Sequence, residues 1–375
     1  MVSLTNGIIT GTSGVLTGSA YKMLNGTNSA SLGGGAALTM NGTALYLAGN
    51  STYSGGTTIS NGTVRLGSTN ALGSGSVTLT AGTFLDLNGQ TNANQIIVSG
   101  ASTLENLGGI AAAVTANSTL NNTLTIDTTG GNITVARLIG GVTRTVNVNG
   151  ANTLTFNGAG HNNLVALVVG SDSAYPTLVC ANNGGYSADR GVTLDTGTIR
   201  LAGPGSGGAY PNANLINSSQ QFWIPGPGTL DLNGWNQTLP TVYGVSVAVI
   251  ENTAVGTNST LTLGADNGTN TWSVSPLNVY SGTVQDGGGV LSLTKIGFGT
   301  QIINGTSTYS GTTTINNGQL EITASGASPN STYVVNTNGG LLFQTDTSFH
   351  LGGLSGGGNV SVSYTHLTLP TNREV

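Results

Sequence analysis

The sequence predicts an all-β fold, a parallel β-solenoid, on three observations: a repeated segment, a near-constant step between equivalent positions, and a composition suited to strands and turns. The repeat comes first, because self-similarity at a fixed period is the signature of stacked architectures. Residues 52–66 read TYSGGTTISNGTVRL and residues 308–322 read TYSGTTTINNGQLEI, with nine of fifteen positions identical. Residues 191–201, GVTLDTGTIRL, match residues 56–66 at six of eleven positions. Tyr53, Tyr186 and Tyr309 open the three copies.

The step extends beyond each motif. Tyr53 to Leu85 spans 32 residues, as does Tyr309 to Leu341, whereas Tyr186 to Leu230 spans 44, with ten of the twelve extra residues between Leu201 and Leu230. The intervals from Leu66 to Leu85, Leu85 to Leu104 and Ile322 to Leu341 are each 19 residues, and that from Leu230 to Ile250 is 20. Three short strands with their turns need about that length, so each interval is read as one rung and residues 1–362 as one repeat region.

Local patterning agrees with strands. Val64 and Leu66 share a face opposite Arg65, and Leu85 and Leu87 share a face opposite Asp86. Thirteen Asn-Gly dipeptides, among them Asn61-Gly62, Asn88-Gly89, Asn233-Gly234 and Asn317-Gly318, mark sharp bends, since both residues accept positive φ. Asn-Gly also suits two-residue antiparallel hairpins, and that alternative stays open at this point. The fixed step favours the coil.

Composition explains why helices are absent from the prediction. Only 6% of the 375 residues are charged, and 61 are glycine, which costs about 1 kcal/mol at a helical position. Disorder is opposed by a net charge of only −5 and by 37% hydrophobic residues spread regularly along the chain. Stacked rungs reconcile these facts: inward Val, Leu and Ile make a thin continuous core, and uncharged Asn and Thr stack without the repulsion that charges in register would suffer.

The stretches SLTKIGFGTQIINGTSTYSGTTTINNGQLEI (residues 292–322), STYSGGTTISNGTVRLGSTNALGSGSVTLTAGTFLDLNGQ (51–90) and HLGGLSGGGNV (350–360) resemble the autotransporter-associated β-strand repeat, also called the passenger-associated transport repeat. The resemblance covers residues 38–100 and 272–360 and is thinner between them. It implies a right-handed parallel β-helix, display at the bacterial cell surface through an outer-membrane translocator barrel, and a stalk or adhesin role. No catalytic residues belong to the repeat. The sequence lacks a translocator, and VSLTNGIITGTSG after Met1 lacks the basic and apolar regions of a signal peptide. Either the protein is not secreted or the chain begins within a longer gene. The last thirteen residues, 363–375, abandon the Gly/Asn/Thr pattern and are read as a non-native tail.

Candidate sites are few. A β-helix carbohydrate-active enzyme, the alternative reading, would need paired carboxylates. Asp86 and Asp231 are equivalent, but the third copy has Leu342; Arg65 and Arg200 are equivalent, but it has Glu321. That interchange suits outward, solvated positions. Asp286 to Gly289 is a turn without the tandem copies calcium binding would need. His161 and His350 have no second ligand at metal spacing, the Gly-rich run from Gly203 lacks a phosphate-loop lysine, and Cys180 shares the inward face with Leu178. No cofactor and no metal is expected, and the absence of any basic cluster excludes nucleic acid as a partner. Tyr210, Phe222 and Trp223, in the insertion at residues 202–228, are the candidate contacts for glycans on host or environmental surfaces, or else pack over an irregular rung. Protein partners and a pure spacer role fit the same rungs.

Overall fold

Short runs, most of them alternating inward and outward residues, form strands of two to ten residues, and each strand hydrogen-bonds to a strand one rung away. The computed structural model describes residues 1–140, 144–158, 162–164, 166–181, 186–188, 191–202, 222–264, 278–323, 325–344 and 349–362. Among them there is no helix, and the ladders run parallel, which excludes Asn-Gly hairpins as the organising unit. The fold is a parallel β-solenoid. It divides into two compact units, residues 1–231 and 232–375.

In the first unit one turn is three strands. Phe84–Asp86, Thr91–Asn92 and Ile96–Val98 make a turn, and Ser102–Glu105, Ala112–Val114 and Ser118–Leu120 lie on it strand for strand. Side chains in register form spines. Leu85, Leu104, Ile126, Val148, Val169 and Leu194 stack in one column, and Val114, Val135, Phe156, Cys180 and Leu201 in another, all at most 1% exposed. Each such residue contributes about 1.5–3 kcal/mol by leaving water, so the core grows with every rung. Cys180 is buried, as its sequence position implies.

The rung step needs one correction. Leu85 is in register with Val64, not Leu66, and Leu341 with Leu320, not Ile322, whereas Leu85 and Leu104 pair directly. Residues i and i+2 face the same way, so a shift of two preserves the inward pattern and is invisible to hydrophobic periodicity.

The TYSG motif has a physical reason. Tyr53 and Tyr309 point inside, at 0% and 2% exposure, and their hydroxyls pair with Thr57 Oγ1 at 2.6 Å and Thr313 Oγ1 at 2.7 Å. Thr313 is linked onward to Ser331 Oγ at 2.8 Å, which donates to the Gly311 carbonyl. A threonine four residues after the tyrosine thus satisfies a polar group that burial would otherwise penalise. The paired glycines Gly62 and Gly318 sit at φ 75° and 66°, and a Cβ there would meet the Gly42 and Gly297 carbonyl oxygens at 2.4 and 2.3 Å.

The second unit stacks Asn258–Leu263, Val290–Lys295, Thr313–Ile315 and Thr332–Val335 on one side, and Thr300–Ile303, Gln319–Ile322, Leu341–Phe343 and Val360–Val362 on another. Among the polar side chains buried in it are Lys295 and Gln301, which meet backbone carbonyls. Lys295, 2% exposed, donates to the carbonyls of Ile296 and Gly297. Gln301 accepts from Val242 N and donates to the Val242 and Asn278 carbonyls, so its amide acts as a piece of strand edge. The proposed tail, residues 363–375, lies outside the described residues.

Candidate functional site

Outward side chains of the first unit form two columns on one sheet. Tyr46, Arg65, Asp86, Glu105, Asp127 and Asn149 are in register, one per rung. Beside them run Thr63, Phe84, Thr103, Thr125, Asn147, Val168, Thr193 and Trp223. Rungs are about 4.8 Å apart, so Phe84 and Trp223 lie roughly 30 Å apart along the column. Phe84 is 39% and Trp223 36% exposed.

The charged column is not uniformly wet. Asp86 is 1% exposed: Oδ2 meets Arg65 Nε at 3.3 Å, and Oδ1 accepts Asn88 N at 2.8 Å and Leu107 N at 3.0 Å. Arg65 Nη2 also donates to Asn88 Oδ1 at 2.6 Å. Asp231 repeats the arrangement with Arg200, Nε to Oδ2 at 2.8 Å, and is fully buried. The reading of these aspartates as solvated is therefore corrected. They close a corner where the chain turns, and at Asp86 the carboxylate caps amides that the ladder leaves unpaired. In the third copy Glu321 stands in register with Leu342, so the pair is missing there.

Glu105 and Asp127 continue the column. Asp127 Oδ1 accepts from the amide and hydroxyl of Thr129, at 2.8 and 2.6 Å. Glu105 is half-buried, and its carboxyl is pushed up to about 7 by burial, then by the charges of Asp86 and Asp127, against a smaller opposing effect of Arg65. Three carboxylates thus stand in adjacent rungs, with the Arg65 guanidinium paired to the first of them. Sequence inspection for local pairs missed this cluster, because its members lie 19 and 22 residues apart, one rung each. A trough of about 180 Å³ opens alongside, lined by Gly82, Thr83, Phe84, Ala101, Ser102, Thr103, Thr123 and Thr125.

The aromatic candidates separate. Tyr210 lies outside the described residues. Phe222 and Trp223 belong not to a loop but to the strand Phe222–Ile224, which pairs with Val192–Leu194. Alternation turns Phe222 into the core, fully buried, and Trp223 outward over Thr193. Asp286 accepts from the amides of Leu291 and Ser310 and so fastens a turn. His350 is exposed, and His161 is outside the described residues, as is the Gly-rich run from Gly203. Among the described residues no group of three His, Cys, Asp or Glu is placed to hold a metal ion.

The family profile described as passenger-associated-transport-repeat matches residues 34–66 and 293–322, one segment in each unit. No curated protein and no solved structure matches the chain.

Proposed function

We propose that the passenger-associated transport repeats make this chain the structural repeat region of a secreted bacterial surface protein, an autotransporter passenger, serving outside the outer membrane as a stalk or adhesin. The supporting observation is that the two matched segments build the same rung, with the same buried Tyr–Thr pair, in separate units of a parallel solenoid. Such a fold needs no fixed chemistry on its surface, and each added rung extends both core and ladder. A translocator barrel is the expected partner in the full-length protein, and surface glycans or proteins are the expected contacts. The test is antibody labelling of intact cells carrying the natural gene, directed at the exposed turn around Val255, which is 86% exposed. Labelling without permeabilisation is expected; labelling only after permeabilisation overturns surface display.

A β-helix carbohydrate-active enzyme is the second reading, favoured by one observation: Glu105, holding its proton near neutrality, stands one rung from Asp127. A raised acid beside a second carboxylate is the pairing glycoside hydrolysis requires. Against it, Asp86 is consumed by Arg65 and two amides, and one Asp127 oxygen by Thr129. Release of reducing ends from polysaccharides by the purified chain, lost in Glu105→Gln, would establish this reading; no release leaves the structural one.

A further inference from the structure

The trough of the first unit has walls of distinct chemistry. Gly82 and Ala101, both exposed, leave space above the corner, and a Cβ on Gly82 would meet no atom within 4 Å. Phe84, 39% exposed, stands at one end, and Thr103 and Thr125 continue its column. Ser102, 6% exposed, is in the wall, and its hydroxyl has no hydrogen-bond partner. Two residues along the same strands lie Asp86, Glu105 and Asp127, with Arg65 paired to Asp86 at one end of the row.

An exposed aromatic ring next to threonine hydroxyls suits the apolar face and hydroxyl rim of a sugar ring. A flat apolar partner would leave the hydroxyls unpaired. The carboxylate column then selects charge: a uronic acid is repelled, a neutral sugar gains nothing from it, and an ammonium is attracted by both the column and the ring face. We propose that this trough binds a polymer of basic amino sugars, its sugar rings running along the rungs over Phe84, Thr103 and Thr125 with their amino groups toward Glu105 and Asp127. The proposal deepens the adhesive part of the function above and rests on it only for biological meaning. Failure of binding would leave surface display, which is read by labelling, untouched.

The experiment is calorimetric titration of the purified chain with glucosamine oligosaccharides, N-acetylglucosamine oligosaccharides, galacturonate oligomers and pentalysine. Glucosamine oligosaccharides should bind about tenfold more tightly than the acetylated form, with galacturonate not binding. Phe84→Ala and Glu105→Gln should each weaken that binding by about fivefold or more, and Ala101→Tyr, which fills the trough, should abolish it. Each variant is checked for a retained cooperative melting transition, and Glu321→Gln in the second unit serves as a control that should bind normally. No binding by the unaltered chain, equal affinity for the acetylated sugar, tighter binding of pentalysine, or undiminished binding by folded Ala101→Tyr would each overturn the proposal.

Discussion

The rungs that follow Tyr53 and those that follow Tyr309 are alike inside and unlike outside. Both bury a tyrosine whose hydroxyl meets the threonine four residues later, and both turn at an Asn-Gly whose glycine has positive φ. Outside, the first unit carries Arg65, Asp86, Glu105 and Asp127 in register, whereas the second carries Ile302, Glu321, Leu342 and Ser361. The difference teaches which constraint acts where. An inward position must fill a fixed space between two rungs, so its size and polarity are held; an outward position must only remain compatible with its neighbours above and below. Where the first unit has an ion pair, the second has Glu321 facing an aliphatic residue, and the same ladder passes beneath both.

Four measurements sharpen or break that comparison. The interior should respond equally in both units: Leu104→Ala and Leu320→Ala, each 1% exposed in the unaltered chain, should cost about 3 kcal/mol apiece by chemical denaturation. A clear inequality would show that the two cores are not equivalent. The exterior should respond unequally: Asp86→Ala, which removes the ion-pair partner of Arg65 and uncaps Asn88 N and Leu107 N, should cost about 2–3 kcal/mol, while Leu342→Ala should cost about 1 kcal/mol or less. Smaller again, Tyr53→Phe and Tyr309→Phe should each cost about 1 kcal/mol, the second somewhat more because Thr313 is also tied to Ser331.

The fourth effect is a pH slope that arises in the first unit. The Glu105 carboxyl is raised in the folded chain from 4.5 to about 7, so the folded state binds the proton more tightly than the unfolded state. Its contribution to stability is complete below about 4.5, falls as pH rises, and is gone above about 7. Glu105→Gln should flatten that part of the stability profile and raise stability at pH about 8 relative to the unaltered chain. An unchanged slope in Glu105→Gln would mean that the carboxylate column does not act as a unit.

Much of the fold is legible in the sequence because the rung is written three times, with apolar residues alternating and Asn-Gly at the bends. Legibility ends where structure depends on register between rungs. Leu66 and Leu85 look equivalent, yet Leu85 lies beside Val64, because a two-residue shift leaves every side chain on its own face. Asp86 reads as outward, and by strand alternation it is; its burial comes from Arg65 and from the corner at Leu107, which are remote in sequence. Glu105 is unremarkable until Asp86 and Asp127 are laid against it. Phe222 and Trp223 look like loop aromatics among prolines, but pairing with Val192–Leu194 draws them into a strand and sends them to opposite faces. Lys295 occupies an inward position between Leu263 and Ile315, where alternation predicts an aliphatic residue; backbone carbonyls at the adjacent turn receive its ammonium instead.

Stacking in parallel register makes a numerical demand on distances. With Cys180 replaced by Ala, spin labels at Thr63 and, in turn, at Thr125, Asn147 and Val168 should give pulsed electron–electron separations that lengthen in that order by about 4.8 Å per rung. Separations that fail to lengthen in order, or that alternate as antiparallel pairing requires, would contradict the parallel stack.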